Sequence, residues 1–327
     1  MLRLGIIGAG HFAKAHVAAL SELGERVRLV AAARRDCGQG FAEAEAMGAR
    51  LMSAEELIAW DEVDAVSVCV PNHLHRRYAE AALSAGKQVF CEKPLAMTLE
   101  DADALIEAVK QSGAVLMVGH VTRHTPLYMA VAEIVSSGRV GAVRTVYANR
   151  MHSSEGRWWR MNPDIGGGVV FDLLVHDFDL MGWLMGRPKS VVARGHKHVQ
   201  GAYDQMAALF AYADGRTALV EGGLYLRPPC GVRSTLRVVC ERGHIEVMTP
   251  SSSSPIHVFE EGCEDSWFSV PTADQRTRAL IGEYTEFLDA IEGRVLGRLR
   301  LEDARQAVAC AVTVVRAADS GQETHFE

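Results

Sequence analysis

Apolar runs in the first 120 residues alternate with segments whose apolar positions recur every three or four residues. Leu2–Ile7 is a short apolar run that ends in glycine. Phe12, Ala15, Ala19, Leu20 and Leu23 then recur at helical spacing. Residues 28–33, 65–70, 88–91 and 114–118 read as further strands, and 41–47, 78–85 and 99–110 as helices. Thr98 caps the last of these, with Asp101 three residues on. Continuous apolar strands between helices predict a parallel sheet covered on both faces. The pattern changes after Gly119. A helix over Pro126–Ser136 is followed by a strand over 144–151 and a helix that includes Asp172 to Met185. Residues 190–199, 205–213, 216–226, 233–241, 243–248 and 256–260 then read as strands, separated by turns such as Ala213-Asp214-Gly215. Helices over 277–292 and 302–319 close the sequence. The expected fold class is α/β: a doubly wound parallel sheet over 1–120, then an α+β domain with a large, mainly antiparallel sheet over 121–327.

Composition narrows the function. With 48% hydrophobic and 23% charged residues in 327, the chain is an ordinary globular sequence. Its 34 basic and 41 acidic residues leave a net charge of −7, without the basic excess of a nucleic-acid binder. The seven cysteines are odd in number and no two are three apart, against a disulfide framework or a CxxC site. Most of them are expected as buried small hydrophobes in a reducing cytoplasm. No apolar run approaches the roughly 18 residues of a membrane span. Glycines, His11 and Lys14 break the opening apolar run, so it reads as a folded strand and helix and not as a signal peptide.

Gly8-Ala9-Gly10-His11-Phe12-Ala13 matches G-x-G-x-x-G/A between a strand and a helix, the dinucleotide-binding fingerprint of a Rossmann domain. Gly8 permits the tight turn, Gly10 lets backbone approach a pyrophosphate, and Ala13 lets helix and strand pack closely. The helix start, at His11 and Phe12, offers free N–H groups to phosphate. The second strand runs into Arg34-Arg35-Asp36, and Arg34 stands where an acid would bind the ribose of NAD. Two guanidinium groups favour the 2′-phosphate of NADP. The competing reading is a solvated arginine pair with Asp36 on the ribose and NAD as cofactor.

Three further stretches carry chemistry: Pro71-Asn72-His73-Leu74-His75 after the third strand, Glu92-Lys93-Pro94 after the next, and Gly166-Gly167-Gly168 leading to Asp172 and His176. On a helix Asp172 and His176 are i and i+4 and share a face, with Asp179 close to it. Together with the glycine turn, nearby His16 and the final helices, these resemble the glucose–fructose oxidoreductase/inositol dehydrogenase (Gfo/Idh/MocA) family along essentially the whole chain. The resemblance implies a nucleotide domain and a sheet domain with the active site in the cleft between them. It implies hydride transfer between a nicotinamide and a secondary alcohol or ketone of a sugar, cyclitol or related ring. By match, Lys93 is the catalytic lysine, Asp172 and His176 are the acid–base pair, and Pro71, Asn72, His75 and Glu92 line the nicotinamide side. The residue types suit that chemistry. A histidine can take or give the hydroxyl proton near neutral pH, and an ammonium can stabilise a developing alkoxide.

For the substrate, Trp158, Trp159 and Arg160 offer ring faces and a guanidinium before the glycine run. Arg123 matches an arginine often found in the family; Asp179, like Asp177, reads as structural, with contact to a substrate hydroxyl as the alternative. No metal is expected, since the histidine pairs 73/75 and 196/198 lack a third ligand nearby. The family resemblance further implies a homodimer or homotetramer formed through the outer face of the second sheet. Two other classes compete: a family glycosidase that uses NAD as a transient oxidant, and a non-catalytic dinucleotide sensor.

Overall fold

The structure is a computed structural model. It describes residues 1–35, 40–153, 158–226, 231–249, 256–270, 274–294 and 300–326. The chain forms two compact units, Met1–His124 with Arg276–Arg305, and Thr125–Gln275 with Gln306–Glu327.

In chain order, the first unit contains β1 (Leu2–Ile7), α1 (His11–Glu22), β2 (Val27–Ala33), α2 (Ala42–Ala46), β3 (Arg50–Met52), α3 (Ala54–Ala59), β4 (Ala65–Val68), α4 (His75–Ser84), β5 (Gln88–Glu92), α5 (Leu99–Ser112) and β6 (Leu116–Gly119). Among the described residues its six strands are parallel, in the order β3-β2-β1-β4-β5-β6. The order reverses between β1 and β4, the point where open α/β sheets bind ligands beyond the carboxyl ends of their strands. Apolar β-rich segments form these strands because both faces are covered by helices. The short pair β3–α3 has no long periodic run. It is set locally by Ser53, whose side chain accepts from the Glu56 amide while Glu56 returns the bond, a reciprocal cap.

The second unit contains α6 (Pro126–Ser136), β7 (Val143–Met151), α7 (Val175–Met185), β8 (Ser190–Lys197), β9 (Tyr203–Ala211), β10 (Thr217–Gly223), β11 (Arg233–Cys240), β12 (Gly243–Thr249), β13 (Ile256–Glu260) and β14 (Ser266–Phe268). Next in chain order come α8 (Gln275–Ile291), almost wholly in the first unit, α9 (Leu301–Ser320), divided between the units after Arg305, and β15 (Thr324–His325) in the second. Nine described strands form one sheet, β14-β13-β12-β11-β7-β10-β9-β8-β15, antiparallel except for β7 with β10. Inward residues such as Val146, Ala148, Phe210, Val220 and Val238 are buried, as period-2 alternation requires. On the opposite face Val192, Leu209 and Leu219 lie in register across three strands and remain exposed, Leu209 at 50%. Both sheet edges end in very short strands, β14 and β15, which limits strand-to-strand aggregation.

One expectation about organisation differs from the structure. A boundary at 120 assigns everything after it to the second domain, yet α8 belongs to the first unit. Leu280, Tyr284, Phe287 and Leu288 enter its core with Leu4, Leu20, Leu29 and Phe90. The stripe on α8 is apolar, and sequence periodicity does not say which sheet such a stripe covers. Of the described cysteines, Cys91, Cys240 and Cys310 are buried, Cys69 is half-buried and Cys263 is exposed, all as free thiols. No described helix is long and apolar enough to cross a membrane.

Candidate active site

The registers of the first sheet align Ala33, Ile7, Val68, Cys91 and Val118 in one row. The next residues, Arg34, Gly8, Cys69, Glu92 and Gly119, therefore stand side by side at the carboxyl ends of the strands, Glu92 and Gly119 still paired within the sheet. Gly8 has φ +111, and a Cβ there would lie 2.1 Å from the Cys69 carbonyl oxygen, so no other residue fits. Gly10 is the N-cap of α1, without a side-chain cap, and a Cβ on it would meet nothing within 4 Å. An uncapped helix start beside open space is suited to a pyrophosphate, so this turn fits a dinucleotide. His11 is exposed, Phe12 half-buried and Ala13 buried against the sheet. Arg34 donates from Nη1 to the Gly40 carbonyl at 2.6 Å, and Arg35 is exposed. Asp36 lies outside the described residues.

Pro71 begins a 3-10 turn over Asn72–Leu74, with Asn72 buried. His75 is buried behind it. Its Nδ1 is 2.7 Å from the Pro94 carbonyl oxygen and its Nε2 is 3.0 Å from that of Val70. Burial pushes this imidazole below its ordinary value. His75 thus joins the turn after β4 to the turn after β5. The Lys93–Pro94 peptide is cis. From Val89 to Ala96 every residue is buried except Lys93, which is half-exposed.

Behind Lys93 lies a buried polar cluster that sequence reasoning did not find. Glu92 Oε1 is 2.9 Å from His16 Nε2, and His16 Nδ1 is 2.8 Å from the Tyr284 hydroxyl. Tyr284 also bonds Ser67 Oγ at 2.8 Å, and its ring stacks on Phe90. Gly119 is needed here, because a Cβ would come within 2.9 Å of Glu92 Oε1. His124 and Glu286 pair at 3.1 Å alongside. Burial works against a charge on His16, but Cys69, Tyr284 and Glu92 outweigh it and raise its pKa. Glu283 is wholly buried, and neither carboxyl oxygen has a hydrogen-bond partner among the described residues. Burial, reinforced by Glu92 and Glu286, holds its pKa well above the ordinary carboxyl value against the pull of His16.

The folded state therefore keeps the Glu283 proton to higher pH than the unfolded chain does. Stability is full below the ordinary carboxyl pKa and is lost as pH rises towards the raised one. Glu283→Gln keeps the neutral shape and removes that loss. Urea midpoints measured between pH 5 and pH 9 are expected to fall less with pH in the variant, which exceeds the wild type at the alkaline end. A wild-type slope in Glu283→Gln refutes a protonated Glu283.

In the second unit the three glycines are packing requirements. A Cβ on Gly166 would lie 2.6 Å from the Arg160 Cα, and one on Gly168 (φ +66) would lie 2.3 Å from the Tyr203 carbonyl oxygen. Their close approach brings the 3-10 turn Trp158–Met161 against the segment that carries Asp172. Arg160 Nε is 3.0 Å from Asp172 Oδ2, both nearly buried. Arg160, expected as a substrate contact, is therefore tied to the carboxylate expected in the acid–base pair. Trp159 is half-buried, with its ring 6.0 Å from the Arg160 guanidinium. The Trp158 side chain lies outside the described residues, as do Glu155, Arg157 and Arg227.

Asp172 sits in a single π-helical turn, Val170–Leu174, which runs into α7 at Val175. The sequence pattern predicts an α-helix throughout; the wider π turn changes the rotation between Asp172 and His176. Such turns are frequent at functional sites. From Val169 to Met181 every residue is buried except His176, which is half-exposed. Asp179 is buried at 1%. Arg123, also buried, belongs to the first unit and donates from Nη1 to Asp303 Oδ2 at 3.2 Å. His73 and His75 are not on a strand, and no described group of three His, Cys, Asp or Glu side chains is arranged to hold a metal.

Comparison with known proteins agrees with this architecture. Residues 2–120 match the oxidoreductase family with an NAD-binding Rossmann fold, and residues 128–246 match the GFO/IDH/MocA C-terminal domain. The 1,5-anhydro-D-fructose reductase of Ensifer adhaerens is 36% identical over 206 residues, 62% of this chain and 62% of that protein. The chain thus spans a little under two thirds of that relative's length. The inositol 2-dehydrogenase of Rhizobium meliloti is 29% identical over 307 residues, 89% of each. Levoglucosan dehydrogenase in complex with NADH superposes with a TM-score of 0.89 over 100% of this chain and 99% of its own, at 21% identity, a likeness of fold. The chain belongs to the Gfo/Idh/MocA family of oxidoreductases, with the NAD-binding Rossmann unit first in sequence and the family's C-terminal sheet unit after it.

Proposed function

We propose that the protein is an NADP-preferring dehydrogenase or reductase acting on a secondary alcohol or ketone of a sugar, an inositol or a related polyol. Accessibility carries this reading: Lys93 and His176 are each the one half-exposed residue in an otherwise buried run. Burying a lysine or histidine without function is costly, and keeping both open within closed surroundings suits groups that exchange protons with a ligand. The names of the relatives supply the substrate class.

When bound, the dinucleotide supplies the nicotinamide C4 that accepts or gives the hydride. In the oxidising direction the substrate hydroxyl passes its proton to the His176 imidazole, a residue type whose ordinary pKa of about 6.5 suits both directions. The Lys93 ammonium donates to the oxygen as its charge develops. Asp172 sets the charge beside His176, and Arg160 fixes that carboxylate. Gly8–Ala13 hold the pyrophosphate, and Pro71, Asn72, His75 and Glu92 shape the nicotinamide side. Trp159 offers a ring face to the substrate.

The NADP preference rests on Arg34, which follows β2 next to Gly8 and is anchored to the Gly40 carbonyl. A panel of polyols and ketosugars, including myo-inositol and 1,5-anhydro-D-fructose, followed at the nicotinamide absorbance with both cofactors tests the reading. NADP(H) is expected to give a kcat/KM at least about tenfold higher, the worth of one charge-assisted contact. Arg34→Ala should erase the difference. A preference for NAD(H) ends the NADP assignment, and no turnover across the panel ends the enzyme assignment.

The exposed row Val192, Leu209 and Leu219 supports association of two or four copies through the open face of the second sheet. Light scattering should give a multiple of 35.6 kDa, with Leu209→Lys shifting the mass downward. A wild-type monomer at micromolar concentration removes that assignment. The protein is assigned to a reducing, cytoplasmic compartment on its cysteine usage.

A further inference from the structure

We propose that Tyr284, His16 and Glu92 form a positioning relay that fixes the main chain at Lys93, so that a helix distant in sequence governs the lysine's contribution to turnover. This rests on the catalytic reading of Lys93 given above.

The relay runs through four elements of the first unit as a line of hydrogen bonds interrupted by one ion-pair contact, between His16 and Glu92. It starts on β4 at Ser67 Oγ, passes the Tyr284 hydroxyl on α8 at 2.8 Å, and reaches His16 Nδ1 on α1 at 2.8 Å. It continues from His16 Nε2 to Glu92 Oε1 on β5 at 2.9 Å. It ends where Glu92 Oε2 accepts from the Lys93 main-chain N–H at 3.2 Å.

Every side chain in the line is buried: Ser67 and His16 at 0%, Tyr284 at 1% and Glu92 at 7%. Buried polar groups cost stability unless each is partnered, and an apolar core would fill the same space without that cost. What the line adds is geometry. It terminates on the one half-exposed residue of Val89–Ala96. The groups facing it are Cys69 after β4, Glu283 and Glu286 from α8, and His124, which pairs with Glu286. Gly119 leaves the space that Glu92 occupies.

Tyr284→Phe deletes the hydroxyl and keeps the ring on Phe90. Glu92→Gln keeps the volume and one acceptor oxygen. Both are compared with Lys93→Met, using the panel substrate of highest turnover. In Tyr284→Phe, kcat is expected to fall about tenfold to a hundredfold, the effect of a slightly misplaced group. KM and cofactor affinity should stay within about twofold, since ground-state binding is untouched. Its pH–kcat profile should shift, and the Lys93 amide should exchange with deuterium faster. Glu92→Gln should fall between Tyr284→Phe and Glu92→Leu. Wild-type kcat, profile and exchange in both Tyr284→Phe and Glu92→Gln, with Lys93→Met inactive, overturn the relay and leave the catalytic reading standing. A kcat that falls only in step with lost cofactor binding or lost folded protein overturns it too. Should Tyr284→Phe fail to fold, Ser67→Ala, which removes the partner of the Tyr284 hydroxyl, carries the same measurements. Turnover retained by Lys93→Met refutes the catalytic reading itself.

Discussion

His176→Ala and Lys93→Met are each expected to lower kcat by about 10²–10⁴-fold, the span of a lost acid–base group. In the proposed mechanism one side chain takes the hydroxyl proton and the other stabilises the charge that develops on the oxygen. Groups that act on the same atom as a unit are not additive. The double variant should therefore fall little further than the worse single variant. Steady-state kinetics on the folded proteins, with cofactor affinity measured separately, decides the matter. Near-full turnover in either single variant removes that residue's role. Full additivity in the double variant separates the two residues into independent functions.

Asp177→Ala is expected to cost about 3–5 kcal/mol of stability, the usual result of leaving a buried charge alone. Arg150 on β7 donates from Nε and Nη2 to the two carboxylate oxygens of Asp177 on α7, both at 2.8 Å, and from Nη2 to the Tyr128 hydroxyl at 3.1 Å. Asp177 is 2% exposed. The pair ties the helix that carries His176 to the sheet beneath it. Removing both partners, as in Arg150→Met with Asp177→Leu, should recover much of the loss, because no unpaired charge remains. Urea unfolding measures both. A cost below about 1 kcal/mol for Asp177→Ala, the range of exposed pairs, would show that the pair is not desolvated as its burial requires.

Much of this protein is legible without coordinates where the signal is local. The alternation of apolar strands with 3.6-period helices places most elements of the first sheet within two or three residues. The glycine fingerprint reports its own turn, because Gly8 needs a positive φ that its neighbours do not supply. Short elements are harder. β3 and α3 carry too few residues for a period to emerge, although Ser53 and Glu56 spell a capping box that marks the helix start. The π turn at Val170–Leu174 has no distinctive periodicity and reads as ordinary helix.

Two buried polar residues did leave a trace. His16 falls in the stripe 13, 16, 17, 20 of α1, whose other members are apolar, and Glu283 lies three residues after Leu280 and four before Phe287 on α8. A polar side chain on an apolar stripe signals a buried partner, but it does not name that partner.

The order of residues along the chain was enough to specify the two kinds of sheet, the dinucleotide turn, and the lysine and histidine set in apolar surroundings, because each depends on positions close to one another. Folding in three dimensions settled the rest: α8 completes the first unit, Tyr284 meets His16 across 268 residues, and Arg160 closes on Asp172 over the crowded glycines. Those contacts join segments whose separation leaves no periodic mark, and they form only when burial of the apolar stripes brings their polar members face to face.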